Sequence, residues 1–325
     1  MDYINYVKQS PMSMGGMGGV VGSYNFRAAA AASNDCSGTG NYYGNRGLHL
    51  GGNNSPTDVI GYFNIPTTQN ASNFGDLTVA RYGGDACSTE TRSVSAGGAG
   101  GYTDTIDYVT VASTGNATDF GELIDARTVT GCSNGVRGVW GGGYTGAQWD
   151  EMEFVCLDTA QGASNFGSLW SGYGAGSALA GGSNGERGIF MNGGSGDKGE
   201  TIQYFDIETT GDCADFGESV VSAWGRGGVS NTTRMVAAGG YYVNTMDYIT
   251  IATTGNSSNF GTLVTNGNGM GGSNNNTRGV FLGGEGAGNV MQYITISSTS
   301  NSTDFGDSVN SGNNNYIWGD AGGGT

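Results

Sequence analysis

Residues 290–307, VMQYITISSTSNSTDFGD, decide the fold of this chain, because both halves of the stretch recur along the sequence. The first half is a β-branched run around a tyrosine, a composition typical of strands. The second half ends in Asp-Phe-Gly. The block Asp/Asn-Phe-Gly occurs six times, at intervals of 46, 46, 50, 44 and 45 residues, with its phenylalanine at Phe74, Phe120, Phe166, Phe216, Phe260 and Phe305.

Two further blocks repeat in phase with the first. An aromatic residue in a strand-like run precedes each phenylalanine by about twelve residues: Tyr62, Tyr108, Phe154, Tyr204, Tyr248 and Tyr293. A block of arginine, apolar residues and paired glycines starts at Arg46, Arg92, Arg137, Arg187, Arg234 and Arg278. Short strands and glycine turns repeated at this period are typical of β-propeller blades. We therefore expect an all-β propeller.

The predicted number of blades depends on the two ends of the chain. A degenerate seventh arginine-type block is Asn315-Tyr316-Ile317-Trp318, and the chain begins with Met1-Asp2-Tyr3-Ile4, which matches the strand expected next. The sequence thus predicts seven blades, the last closed by strands from both termini. The prediction is a single domain over residues 1–325, with an inserted loop at residues 10–22. Six blades with a loose N-terminal arm is the competing prediction.

Composition excludes several classes of protein. Glycine makes up 65 of 325 residues, but only 3 prolines are present, so the chain is not collagen-like. The net charge is −16 with 12 lysines and arginines, so neither a nucleic-acid partner nor attraction to an anionic membrane is expected. No apolar run reaches the roughly 18 residues of a membrane-spanning helix. The N-terminus also lacks the features of a secretory signal.

The five cysteines are Cys36, Cys87, Cys132, Cys156 and Cys213. Their odd number argues against a fully paired disulfide framework. Cys87 and Cys132 lie at equivalent positions of two repeats, so we expect them in different blades as small buried residues.

The order of the blocks resembles that of Kelch-type propeller repeats. Gly283-Gly284 matches the double glycine of that family, Tyr293 the tyrosine that follows it, and Phe305 the aromatic residue that is usually tryptophan. Arg81 and Arg127 stand where Kelch repeats often carry an arginine. The glycine-, threonine- and asparagine-rich repeat is also similar to Kelch-like repeats in virion structural proteins of tailed phages, particularly marine and cyanobacterial ones. That resemblance implies a tail, a fibre or another virion appendage.

Catalytic chemistry has little support in the sequence. The single histidine, His49, lies where other repeats carry tryptophan or phenylalanine, so we expect a packing residue and predict no metal or other cofactor. Carboxylate pairs such as Asp119 with Glu122, or Asp304 with Asp307, are of the type that glycosidases use, but they recur with the repeat. Calcium binding by aspartates in the turns stays open.

Asn-X-Ser/Thr triplets start at Asn70, Asn116, Asn231, Asn256, Asn275 and Asn301. Several belong to the repeated turn, where asparagine bonds to nearby backbone, so we interpret them as turn formers.

Binding residues are expected in the variable stretches between the blocks, because such stretches decorate the faces of a propeller. Aromatic side chains there suit stacking on sugars or anchoring of proteins. The candidates are Tyr144, Trp149, Tyr173, Trp224, Tyr241 and Tyr242.

The resemblance to phage repeats, together with the weak support for catalysis, implies a non-enzymatic structural protein of a phage virion, on the particle exterior or tail and in multiple copies. Its expected partners are other virion structural proteins, and a host-surface glycan is a further candidate. A lectin-like adhesin that binds cell-surface polysaccharide is the first alternative function, and a glycan hydrolase is the second.

Overall fold

The structure is a computed structural model that describes residues 36, 38, 40, 43–52, 56–170, 179–193, 199–309, 314–315 and 320–323. The propeller lies within the unit Asn34–Thr325. Two predictions concern the first residues of the chain: the strand at Met1-Asp2-Tyr3-Ile4 and the inserted loop at residues 10–22. Both lie outside the described residues.

Within the described residues, six four-stranded antiparallel sheets form the blades of a β-propeller, and we number their strands and one further pair β1 to β26 in chain order. Each blade runs from an inner strand at the centre of the ring to an outer strand at its edge. The inner strands are β4 (Asp85–Ser88), β8 (Thr130–Ser133), β12 (Ala180–Ser183), β16 (Gly227–Ser230), β20 (Gly271–Asn274) and β26 (Asp320–Gly323). The second strands are β1 (Arg46–Leu50), β5 (Arg92–Ala96), β9 (Arg137–Gly141), β13 (Arg187–Met191), β17 (Arg234–Ala238) and β21 (Arg278–Leu282).

The third strands carry the repeat aromatic: β2 (Thr57–Asn64), β6 (Thr105–Thr110), β10 (Glu151–Cys156), β14 (Thr201–Asp206), β18 (Thr245–Thr250) and β23 (Val290–Thr295). The outer strands carry the Phe-Gly block: β3 (Ser72–Arg81), β7 (Thr118–Glu122), β11 (Ser164–Ser168), β15 (Ala214–Glu218), β19 (Ser258–Thr262) and β24 (Thr303–Asp307). A separate two-stranded pair consists of β22 (Gly284–Glu285) and β25 (Asn314–Asn315).

The C-terminal strand closes the ring. β26 pairs antiparallel with β1, with Leu48 opposite Ala321, and so supplies the inner strand of the blade formed by β1, β2 and β3. The inner strands contact one another in the order β4, β8, β12, β16, β20, β26 and back to β4. The prediction of seven blades is therefore wrong and the competing count of six is confirmed, because the last strand completes the first blade instead of opening a seventh.

The Phe-Gly block joins neighbouring blades. Each repeat phenylalanine is buried and meets the aromatic of its own third strand edge to face, with ring centroids 5.9 to 6.0 Å apart. The glycine that follows lets the next blade approach its backbone. A Cβ atom on Gly121, for example, would lie 2.3 Å from the carbonyl oxygen of Gln161 in the next blade. This close approach explains why the block is invariant in all six repeats.

The repeat arginine forms a second link between blades. Each guanidinium lies 4.2 to 4.9 Å from the ring centroid of the aromatic in its own third strand. The same group donates to a backbone carbonyl of the next blade, as Arg187 Nη1 does to Ile251 O at 3.0 Å. The series ends with Arg278, which donates to Ile65 O of the first blade at 3.0 Å. The six arginines thus connect all six blades into a closed ring.

The cysteines divide into one disulfide and three free thiols. Cys36 and Cys156 are bonded, a pairing that the sequence did not predict. Cys87, Cys132 and Cys213 are free and buried, so the prediction that Cys87 and Cys132 are small buried residues is confirmed. Burial raises the pKa of the Cys87 thiol well above its ordinary value, which keeps the group neutral.

Candidate functional site

The inner strands pack tightly against one another around the centre of the ring. A Cβ atom on Gly181 of one inner strand would lie 2.3 Å from Gly131 O, and one on Gly228 would lie 2.3 Å from Gly181 O. Neighbouring inner strands therefore pack backbone against backbone. The surfaces open to a partner are therefore the two ends of the ring.

Strand order places the connections of every blade at these two ends. In a sequential antiparallel sheet, the connection from second to third strand and the connection from outer strand to the next inner strand lie at the same end. We call this end the apolar end and the opposite one the polar end. The large hydrophobic side chains that are exposed in the described part of the chain all lie at the apolar end: Val79, Tyr102, Ile124, Tyr144, Trp170, Val220, Tyr241, Tyr242 and Val264.

Five of these residues, which we call the apolar ring, occupy equivalent positions four or five residues after the repeat phenylalanine: Val79, Ile124, Trp170, Val220 and Val264. The backbone N–H groups of four of them donate to polar side chains of the next blade. Ile124 N, for example, donates to Glu153 Oε2 at 2.6 Å, and Trp170 N donates to Gln203 Oε1 at 2.8 Å. Buried polar groups therefore fix the backbone from which these exposed apolar side chains project.

Beneath the apolar end lies a layer of buried polar side chains at the position before the repeat aromatic. Three of them are carboxylates, each paired with a buried arginine: Arg81–Asp107, Arg127–Glu153 and Arg226–Asp247. In two other blades the position is held by Gln203 and Gln292, and the connections that precede those blades contain no arginine. A charge is therefore buried at this position only where a partner of opposite charge accompanies it.

His49 occupies the corresponding region of the first blade. Its side chain is fully buried, as the prediction of a packing residue requires, and its ring lies against Gly61, the residue before the repeat aromatic Tyr62. Burial lowers the pKa of His49 to about 4, because the imidazolium form would lose its hydration. The histidine is therefore neutral at pH 7.

Of the predicted binding residues, Tyr144 and Trp149 lie in the connection between β9 and β10. Tyr144 is exposed. Trp149 is half-buried, and its ring centroid lies 5.6 Å from the Arg127 guanidinium. Its Nε1 donates to Thr145 Oγ1 at 2.9 Å, so this tryptophan is engaged in packing the connection. Tyr173 lies outside the described residues.

The other three predicted residues, Trp224, Tyr241 and Tyr242, come together as an aromatic stack. The rings of Trp224 and Tyr241 are stacked, with centroids 4.8 Å apart and an interplanar angle of 19°. The centroid of Tyr242 lies 4.1 Å from that of Tyr241. Tyr242 is 80% exposed and has a φ of 58°. A left-handed backbone costs a residue other than glycine about 1–2 kcal/mol, so the chain holds this ring in solvent at a cost in stability.

Four segments of two blades build the surroundings of the aromatic stack. Tyr241 N donates to Trp224 O at 3.0 Å. Gly225, the residue after Trp224, accepts a hydrogen bond from Gly269 N at its carbonyl oxygen, at 2.8 Å. Glu285 is exposed in β22 and bridges to Asn268 through both backbone and side chain. The hydrogen bond with Tyr242 is the main cause that raises the pKa of Tyr241, and the nearby charge of Glu285 adds to it.

The charge at the apolar end is negative. Exposed or half-exposed carboxylates at this end include Asp58, Asp104, Glu122, Asp125, Asp150, Glu151, Glu200, Glu218, Glu285 and Asp307. All nine arginines of the described ranges are engaged inside the propeller, six between blades and three in buried ion pairs. A partner that binds the apolar end would therefore contact exposed apolar side chains surrounded by carboxylates.

The polar end is built differently. Several asparagines of the Asn-X-Ser/Thr triplets lie in its connections and bond across blades. Asn116 Oδ1 accepts a hydrogen bond from Asp76 N at 3.1 Å, and Asn256 Oδ1 accepts one from Glu218 N at 3.1 Å. These contacts support the interpretation of the triplets as parts of the repeated turn.

The described residues contain no cluster of three or more His, Cys, Asp or Glu that could hold a metal ion. In the same residues, no helix is long and apolar enough to cross a membrane. The pairs Asp119 with Glu122 and Asp304 with Asp307 lie on equivalent outer strands of two blades, β7 and β24, so they repeat with the fold.

Sequence reasoning missed the apolar ring and Glu285. The sequence does contain a signal for the ring, because an apolar residue recurs shortly after each repeat phenylalanine. A single apolar residue in a connection, however, does not indicate that its side chain is exposed, or that the residues of all blades lie at the same end of the propeller. Glu285 carries no such signal, because its position near the stack depends on the contact between Asn268 and β22.

Comparison with protein-family models finds no matching family, and a search of curated proteins finds no match. The propeller architecture and the apolar end are therefore derived from the structure of this chain alone.

Proposed function

We propose that the protein is a non-enzymatic structural component of a phage particle, a rigid six-bladed propeller that docks on another virion subunit through its apolar end. The observation that carries the docking proposal concerns the described residues, whose exposed large hydrophobic side chains are confined to that end. Exposed hydrophobic side chains that gather at one end of a rigid protein favour that end as the surface that contacts a partner.

Rigidity supports the same proposal. The closed ring of arginines and the close contacts at the Phe-Gly blocks hold all six blades in one arrangement. The apolar ring is tied to this frame through backbone bonds such as that of Ile124 to Glu153. A partner would thus meet a preformed surface, which lowers the entropic cost of association.

The placement in a virion rests on the similarity of the repeats to Kelch-like repeats of phage structural proteins. On that basis we place the protein on the particle exterior or tail, in multiple copies. Quantitative mass spectrometry of purified particles of the encoding phage is expected to find the chain at a fixed copy number. Its absence from the particles would refute the virion assignment.

Recruitment to the particle tests the docking end. The double variant Ile124→Asp/Val220→Asp places two charges in the apolar ring, and we expect it to be lost from particles. Thr114→Asp, an exposed position at the polar end, is the matched control and is expected to be retained. Equal retention of both variants would contradict docking through the apolar end.

A further inference from the structure

We propose that the aromatic stack of Trp224, Tyr241 and Tyr242 receives an arginine side chain from the docking partner, so that the surface of the partner is basic. The inference rests on the proposed docking function and specifies its chemistry. The contact would combine a cation–π interaction over Tyr242 with an ion pair to Glu285.

Tyr242 adopts a backbone conformation that is costly for tyrosine. The equivalent position, three residues after the first glycine of the pair, is Gly100 in the second blade and Gly286 in the sixth, both with positive φ. Glycine adopts this conformation without strain, whereas tyrosine does not. Counted from the paired glycines, the fifth blade thus carries a large exposed ring where two other blades carry glycine; counted from the third strand, the matching residue of the second blade is Tyr102, which also has a positive φ.

The charge around the aromatic stack selects a cation as its ligand. Glu285 is exposed in β22, in the group of connections that surrounds the stack, and its charge contributes to raising the pKa of Tyr241, so a carboxylate lies near these rings. Arg226 lies beneath the same connection, with its Nε donating to Gly239 O at 3.1 Å, but its charge is paired with that of Asp247, and carboxylates surround the apolar end. An anionic ligand would be repelled, and a neutral sugar would gain nothing from this field.

Arginine fits the aromatic stack better than lysine does. Its guanidinium is planar, stacks on aromatic faces, and is more weakly hydrated than an ammonium group. The chain already uses this contact internally, with Arg234 4.3 Å from the ring centroid of Tyr248. The proposed site places the same chemistry at a surface, with the arginine supplied by the partner.

The test uses the whole protein and a small probe. The indole N–H signal of Trp224, assigned by its loss in Trp224→Phe, is followed by NMR during titration with N-acetyl-arginine amide. N-acetyl-citrulline amide, a neutral molecule of nearly the same shape, is the matched ligand. We expect the arginine compound to shift the signal more strongly and to bind more tightly than the citrulline compound, by about two- to fivefold for an exposed cation–π contact.

Variants assign the effect to the aromatic stack. Tyr242→Gly, which places glycine where Gly100 and Gly286 stand, is expected to remove the preference for arginine. Glu285→Gln is expected to weaken the preference for arginine and to reduce its salt dependence. Glu186→Gln removes an exposed carboxylate at the polar end and is expected to leave the binding unchanged.

Three outcomes would overturn the inference: equal responses to the arginine and citrulline compounds, an arginine preference that survives in Tyr242→Gly, or a shift caused by maltohexaose but not by arginine. The last result would identify a sugar-binding platform instead. These results are independent of the particle experiments. If the protein is recruited to particles through Ile124 and Val220 but shows no preference for arginine, only the present inference is refuted. If the protein binds arginine but is absent from particles, only the virion assignment is refuted.

Discussion

Removal of the guanidinium of Arg127 would leave a carboxylate without its partner inside the propeller. Arg127 Nη1 contacts Glu153 Oε1, and both side chains are buried. Arg127 Nε also donates to Gly142 O at 2.9 Å. Loss of one partner of a buried ion pair costs about 3–5 kcal/mol, because the remaining charge has neither water nor a counter-charge. We expect Arg127→Met to lower the free energy of unfolding by that amount.

The chain itself indicates the change that compensates. Gln203 occupies the position of Glu153 in a blade without the arginine, and its Oε1 accepts a hydrogen bond from Trp170 N at 2.8 Å. A glutamine at position 153 would keep the corresponding bond from Ile124 N while it removes the buried charge. The double variant Arg127→Met/Glu153→Gln is therefore expected to recover about 2–3 kcal/mol of the loss.

Urea unfolding of the wild type, the two single variants and the double variant measures this coupling. Tryptophan fluorescence and circular dichroism should give the same transition, with one m-value for all four proteins. We expect a coupling energy of at least about 2 kcal/mol between the two positions. A double variant whose loss equals the sum of the two single losses would refute the reasoning.

Three further predictions test other parts of the fold. Burial lowers the pKa of His49 to about 4 from 6.5, so on acidification the unfolded chain binds the proton before the folded chain does. The free energy of unfolding of the wild type should therefore fall by up to about 3 kcal/mol as the pH drops from above 6.5 to below 4. His49→Phe should abolish that loss in chemical unfolding at pH 7 and pH 4.5, and an unchanged pH dependence would exclude His49 as its cause. Gly121→Ala should cost about 1–3 kcal/mol in calorimetry because its Cβ would meet a carbonyl oxygen, whereas Gly115→Ala, with open space around the Cβ, should stay within about 0.5 kcal/mol; equal melting temperatures would count against the close contact. Arg278→Met should lower stability by about 2 kcal/mol, as much as Arg187→Met, because both arginines join neighbouring blades of a closed ring. If Arg278→Met left the stability unchanged while Arg187→Met lowered it, the last and first blades would not be in contact, and the ring would be open.

The repeat was readable from the sequence because its three blocks carry strong local constraints. Each Phe-Gly glycine faces a carbonyl oxygen of the next blade, and each repeat arginine pairs with an aromatic 14 to 17 residues further along the chain, so these residues recur and set the period. The number of blades was not readable. Inner strands such as β20, Gly271–Asn274, consist of small residues that resemble turns, and the closing strand β26 could not be recognised as one of them.

The candidate site was foreseen in part for a similar reason. Trp224, Tyr241 and Tyr242 stood out as aromatic residues in variable stretches, but their contact depends on how two connections of one blade fold together. Two properties of the apolar end appear only in the assembled propeller. Strand order places its residues on one side of the ring, and contacts between and beneath the blades engage the described arginines that would otherwise neutralise its charge. Neither property is encoded in any single segment of the chain.

A density map of the assembled particle with this chain located would test the account most directly. We predict a six-bladed ring whose apolar end, marked by Ile124, Val220 and Val264, lies against a neighbouring subunit, with an arginine of that subunit over Tyr242. A propeller attached through its polar end, with the apolar ring facing solvent, would contradict the account.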